Sequence, residues 1–209
     1  MRGAIVLAGG PGRRMGGVKA LVALAGEALV LHVLRAAGKV VGELAVVTKP
    51  SMAGDLARAL PPGTRIVEEP TEVQSPLVGL VAGARAIRAD YVAYLACDLP
   101  LLRPRVLDLL FSRAAGHDGA VPQWPDGKIE PMASVLRREA ALAAAASALD
   151  AGRYANTDML AGLGDLRYVP MEEVRPIDPD LESFINVNTA EDLLEAERRI
   201  AGGHRRASR

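Results

Sequence analysis

The sequence predicts an α/β domain with a doubly wound, mostly parallel sheet. Three observations predict it. Short β-branched runs alternate with helical patterns through the first half of the 209 residues. Those runs are near-continuous in hydrophobicity, as strands are when helices cover both sheet faces. Glycines, carboxylates and a cysteine follow directly on three of them, at the strand ends where such sheets bind ligands.

Taken in order, Gly3–Leu7 reads as the first strand and Leu29–Gly38 as a helix after a loop. Leu44–Val47 is a second strand, Met52–Leu60 a helix and Arg65–Val67 a third strand. Leu77–Ile87 is a helix behind Pro76, and Tyr91–Ala96 a fourth strand. Pro104–Ala115 opens as a helix with proline in its first turn. Gly119–Pro122 and Met132–Leu136 read as strands around the turn Trp124-Pro-Asp-Gly127. Arg138–Leu149 is an alanine-rich helix. Ala190–Ile200 is the last helix, with Thr189 as N-cap and Asp192 completing a capping box. A single domain is expected over 1–201, followed by a disordered basic tail over 202–209.

Composition narrows the function classes. Half the residues are hydrophobic and 24% are charged, as in soluble globular proteins. The net charge is zero, with 11 basic and 8 acidic residues up to position 100 and 14 and 17 beyond it. That weak asymmetry fits a small anionic ligand near the N-terminal half but not a nucleic-acid surface. Aromatic content of 3% also argues against a base-stacking platform. Cys97 is the only cysteine, so internal disulfides and multi-cysteine zinc sites are excluded. No signal-peptide layout or membrane-spanning run is read, and a cytoplasmic location is expected.

The stretch from Ala4 to Lys19 is the most informative. A strand runs into a loop with five glycines, two arginines and a lysine. Glycines let backbone N–H groups approach phosphate oxygens, and the cations balance phosphate charge. A nucleotide-phosphate site is one reading and a surface glycine turn the other. Gly10, Gly12 and Gly16 miss the dinucleotide spacing by one residue, and Val18 separates Gly17 from Lys19, unlike a P-loop.

Asp98 follows the fourth strand on the same rim. A carboxylate there suits Mg²⁺, which takes one or two carboxylates with phosphate oxygens and water; a helix or turn cap is the alternative. Cys97 lacks a nearby base and reads as a packing residue. Glu68 or Glu69 can accept from a base or ribose, or face solvent. Gln74 to Gly79 can read a base edge or simply begin a helix. Asn186 and Asn188 point the same way if the segment is extended, toward a metal-bound water or a substrate phosphate. His32, His117 and His204 are far apart and read as structural or surface groups. No protein-nucleophile triad is visible.

Leu7-Ala-Gly-Gly-Pro-Gly-Arg-Arg-Met-Gly-Gly-Val-Lys19 resembles the opening signature of the molybdenum cofactor guanylyltransferases, the MobA family. Ile66-Val-Glu-Glu69 and Ser75-Pro-Leu-Val-Gly79 look like its guanine-side segments. Ala96-Cys-Asp-Leu-Pro100 resembles its metal-aspartate motif, and Phe184 to Leu193 its C-terminal signature. The likeness spans residues 3 to about 197. Val18 stands where the family usually has an acidic residue, Glu69 where it has Asp, and Val78 where it has Ala; the loop is one residue shorter.

The resemblance implies a Rossmann-like nucleotidyltransferase fold and transfer of GMP from GTP to molybdopterin or its molybdenum form. It implies Arg13, Lys19 and Asp98 as catalytic groups, with Asp98 holding Mg²⁺. Leu7, Ala8, Gly9, Gly10, Gly12, Lys19, Glu69, Ser75, Pro76, Leu77, Gly79 and Asp98 would hold the nucleotide, and Asn186 and Asn188 the acceptor. Neither nucleic acid nor membrane is an expected partner; transient contact with proteins that deliver or accept the cofactor is. The rival expectations are a cobinamide-phosphate guanylyltransferase, a molybdopterin cytidylyltransferase, a sugar-phosphate nucleotidyltransferase, or a nucleotide- or cofactor-binding protein without activity.

Overall fold

The run Arg2–Leu7 is apolar at successive positions because the strand it forms, β1, is covered on both faces. Ala4 and Val6 enter one core, and Ile5 and Leu7 the other. The computed structural model describes residues 1–12, 17–70 and 73–207. Its main sheet has seven strands. After β1 come β2 (Glu43–Thr48), β3 (Arg65–Glu68), β4 (Tyr91–Ala96), β5 (Gly119–Gln123), β6 (Ala133–Arg137) and β7 (Leu166–Pro170). Their spatial order is β7-β5-β6-β4-β1-β2-β3. Strands β3, β2, β1 and β4 are parallel, with Leu7 level with Val47 on one side and Ala96 on the other. Only β6 runs the other way, pairing antiparallel with β4 and β5; β7 is parallel to β5. The carboxyl ends of all strands but β6 therefore meet at one rim.

Helices α1 (Leu29–Gly38), α2 (Pro50–Ala59) and α4 (Pro104–Ala114) cover one face through Val33, Leu56 and Leu110. Helix α3 (Pro76–Ala86) and α5 (Arg138–Asp150) cover the other through Leu80 and Ala145. Two short helices follow, α6 (Asn156–Leu160) and α7 (Met171–Val174), before α8 (Ala190–Ala207). No helix of the described residues is long and apolar enough to cross a membrane.

Helix α3 lies unusually close to β1 because it carries glycine where it crosses the strand. A Cβ on Gly83 would lie 2.6 Å from Ile5 Cγ2 and 3.0 Å from Val47 Cγ2. Overpacking costs about 1–3 kcal/mol, and alanine's helix propensity returns about 1. Gly83→Ala is therefore expected to lower Tm by a few degrees in calorimetry. An unchanged Tm would contradict the close approach.

The second half departs from expectation in ways that have physical reasons. Strand β7 has no counterpart among the elements expected from the sequence. It is an edge strand in which only Val169 is buried, so Leu166-Arg-Tyr-Val-Pro170 carries no apolar run. The last helix runs from Ala190 to Ala207, beyond the Ile200 expected for its end. The capping box is present: Thr189 Oγ1 accepts from Asp192 N at 3.2 Å, and Asp192 Oδ2 accepts from Thr189 N at 2.8 Å.

Candidate active site

Hydrogen bonds just past the strand ends fix where the chain leaves the sheet. Ala8 N donates to Val47 O at 2.7 Å, Cys97 N to Leu7 O at 3.1 Å, and Glu69 N to Thr48 O at 2.8 Å. The residues that follow β1, β2, β3 and β4 thus converge. They line a cleft of about 290 Å³, with Leu7, Gly9, Gly10, Lys19, Glu69, Ser75, Pro76 and Asp98 among its walls. Eight of the residues singled out from sequence are thereby brought together.

At one end, Lys19 pairs with Asp98 Oδ2 and donates to Asn188 Oδ1 at 2.6 Å. Lys19 belongs to a 3₁₀ turn (Lys19–Leu21) directly after the glycine loop. Asn188 arrives because Val187 is buried and its N–H donates to Asp98 O at 2.9 Å. The side chains of Asn186 and Asn188 are exposed on either side of Val187, so they share an outward face. Only Asn188 reaches Lys19; Asn186 Nδ2 donates back to Phe184 O at 3.3 Å. The N–H groups of Asn188 and Thr189 hold the Asp192 carboxyl below its usual range, which keeps this segment tied to α8.

Asp98 does not cap α4, the helix that follows it. The N-cap of α4 is Arg103, whose N–H is satisfied by Ser183 Oγ at 3.0 Å. Asp98 Oδ1 is buried and lacks a hydrogen-bond partner among the described residues. A buried carboxylate oxygen without a donor costs free energy, and a cation or ligand in the cleft removes that cost.

At the other end lies a second ion pair, which sequence reasoning missed. Lys49 Nζ meets Glu69 Oε2 at 2.5 Å, a close ion contact outside hydrogen-bond alignment, with both side chains only 5–6% exposed. The same ammonium donates to Val73 O at 2.9 Å. Glu68 points to solvent while Glu69 is buried, which decides between them. Gly9 sits directly over this pair: a Cβ there would lie 3.0 Å from Glu69 Oε1 and 3.4 Å from Lys49 N. A signal for Lys49 existed. It follows β2 by one position, as Glu69 follows β3, so both carry charge to the same rim.

Other expected contacts lie behind the cleft wall. Ala8 and Leu77 are fully buried in the two cores. Gly79 lets α3 close on the strand, since a Cβ would lie 2.8 Å from Leu7 Cδ2. Ser75 lines the cleft, yet its hydroxyl is committed as the N-cap, accepting from Leu77 N at 3.1 Å and donating to Tyr154 O at 2.9 Å. Gly12 is seen only as backbone, in a ribbon pairing Pro11–Gly12 with Gly17–Val18. Arg13 lies outside the described residues. His32 ring Nε2 bonds Leu24 O at 3.0 Å and His117 pairs with Asp165, both structural roles; the His204 side chain lies outside the described residues.

Cys97 lines the cleft but is buried, and burial followed by the adjacent Asp98 carboxylate pushes its thiol up to about 12. A thiol with that pKa carries almost no thiolate near neutrality. Cys97 is expected to resist an aromatic disulfide reagent at pH 8 in the folded protein and to react at once in guanidinium. Rapid labelling of the folded chain would contradict this.

Comparison with known proteins agrees with the geometry. The family model described as a MobA-like NTP transferase domain matches residues 4–165. A probable molybdenum cofactor guanylyltransferase of Methanosarcina mazei is 33% identical over 92% of this chain and 88% of its own length. That of Natronomonas pharaonis is 35% identical over 96% and 98%. The crystal structure of molybdopterin-guanine dinucleotide biosynthesis protein A from Archaeoglobus fulgidus superposes with a TM-score of 0.82 at 27% identity, covering 97% of this chain and all of that one. With the family model matched over most of its length and relatives above 30% identity along nearly all of it, this chain belongs to the MobA-like NTP transferase family and is a nucleotidyltransferase.

Proposed function

We propose that this chain transfers the guanylyl group of GTP to the terminal phosphate of molybdopterin, or of its molybdenum form, and releases pyrophosphate. The observation that carries the reading is the buried Oδ1 of Asp98, without a hydrogen-bond partner among the described residues, beside Lys19 in the cleft. The names of the relatives support the choice of base and acceptor.

The residues present fit Mg²⁺. That ion needs one or two carboxylates and completes its shell with phosphate oxygens and water, so Asp98 alone suffices on the protein side. When bound, magnesium supplies positive charge to the reacting phosphate. Lys19 places an ammonium beside the same phosphates and steadies the leaving pyrophosphate. Arg13, in the glycine loop, is proposed to act with it. The N–H groups of Gly9 and Gly10 are proposed to meet phosphate oxygens, which the absence of Cβ atoms permits. Glu69 and the start of α3 stand at the far end of the cleft, where the base is proposed to sit.

In the transfer, an oxygen of the acceptor phosphate forms a bond to the α-phosphorus. The α–β bridging bond breaks, and its electron pair leaves with pyrophosphate. No covalent enzyme intermediate is needed, because positioning and electrostatics carry such steps. The test is pyrophosphate release from GTP with Mg²⁺ and molybdopterin as acceptor. Release with that acceptor and not from CTP is expected. Release only with cobinamide phosphate would replace the acceptor, and tight GTP binding without release to either would overturn the transfer reading.

A further inference from the structure

The rim does not end at Asp98. Strand β5 is parallel to β4 and lies two places along the sheet, so its carboxyl end stands about 10 Å from that of β4. There the chain forms a hairpin over 123–130, closed by Trp124 N on Lys128 O at 2.8 Å and Glu130 N on Pro122 O at 3.0 Å. Between the two ends, Ala96 N donates to Met132 O at 3.0 Å, and Met132 lines the cleft. Glu130 precedes Met132 by two residues, and in strand order this place lies on the side of β4 away from Lys49 and Glu69.

The side chains at this place form one unit. Trp124 Nε1 donates to Glu130 Oε1 at 2.7 Å. The indole also meets the Phe184 ring edge-on, with centroids 6.2 Å apart and planes at 72°. Phe184 leads directly to Asn186 and Asn188, so the unit adjoins the segment that reaches Lys19. Glu130 is half-buried, and no lysine, arginine or histidine pairs with it among the described residues. A carboxylate has about four lone-pair sites, and Trp124 occupies one.

We infer that Trp124 and Glu130 form a subsite for the heterocycle of the acceptor, which presents a 2-amino-4-oxopyrimidine edge. Such an edge offers an amino N–H and a ring N–H side by side. They match a carboxylate as a pair of parallel, charge-assisted hydrogen bonds. Trp124 fixes the carboxylate and adds a flat aromatic neighbour. Burial already holds the Glu130 carboxyl above its usual range, the state of a carboxylate short of donors. This inference rests on the proposed molybdopterin acceptor. Guanine carries the same edge, so the two sources must be separated by experiment.

Trp124 is the only tryptophan in the chain, so its fluorescence reports on this place alone. The probes are pterin and lumazine, which carries oxygen in place of the 2-amino group. Pterin is expected to quench the emission saturably, lumazine much more weakly, and saturating GTP to leave the pterin curve unchanged. Glu130→Gln is expected to weaken pterin binding by about tenfold or more, since hydrogen bonds to a charged group are at stake, with GTP affinity retained. Equal binding of pterin and lumazine, or no quenching by either, overturns the subsite. Displacement of pterin by GTP also overturns it, since the place would then read guanine. Turnover of molybdopterin with an acceptor KM untouched by Glu130→Gln would overturn the subsite while leaving the transfer reading standing. Specific pterin quenching without molybdopterin turnover would do the reverse.

Discussion

Replacing Asp98 with alanine is expected to remove nearly all transfer and to leave the protein folded. The two effects separate because of how the carboxylate is placed. Its Oδ2 pairs with Lys19, but its Oδ1 is buried without a partner among the described residues. An unsatisfied buried oxygen costs about 1–3 kcal/mol, which offsets much of what the Lys19 contact contributes. Asn188 Oδ1, 2.6 Å from Lys19 Nζ in this structure, is expected to remain its partner after the change. Melting temperature should therefore stay within a few degrees. Turnover should fall by at least about 10²–10³, the cost of removing one electrostatic group from a phosphate-handling site. Asp98→Asn, which keeps shape and removes charge, should lose nearly as much. A stable Ala or Asn variant with full turnover would refute the metal role proposed for Asp98.

Lys49→Met is expected to act on stability and binding together. Breaking a buried pair by removing one partner costs about 3–5 kcal/mol, because the other charge is left uncompensated. At roughly 2–4 °C per kcal/mol for a chain of this size, Tm should drop by about 10 °C. Glu69 lies against Gly9, so GTP affinity should weaken as well. The double variant Lys49→Met with Glu69→Leu distinguishes the two effects. Exchanging a buried ion pair for apolar groups is often neutral, so Tm should largely recover. GTP binding should not. Recovery of both would show that the pair serves the fold alone, and a Tm unmoved by Lys49→Met would show that the pair contributes little.

The parallel half of the molecule was legible because both of its faces are covered. Burial on both sides demands continuous apolar runs, and those runs are visible at Ala4–Leu7, Leu44–Val47 and Tyr91–Ala96. The far edge was not legible for the opposite reason. Strand β7 buries only Val169, so its residues follow solvent and not the sheet period.

Much of the candidate site was legible on the same logic. Groups placed directly after apolar strands, such as Gly9, Glu69 and Asp98, must reach one rim if the strands are parallel. The sequence by itself thus determined the doubly wound class, the rim and the charged groups carried to it. It could not decide which of those groups touch, since contact depends on strand order and on how far each loop folds back. Lys49 and Glu69 are 20 positions apart and meet because β2 and β3 are neighbours. Lys19, Asp98 and Asn188 lie in three distant segments and meet because β1 pairs with β4 and Val187 docks on the end of β4. Local pattern fixes what each strand delivers; only the packed sheet brings the opposite charges within bonding distance, where burial makes their pairing obligatory.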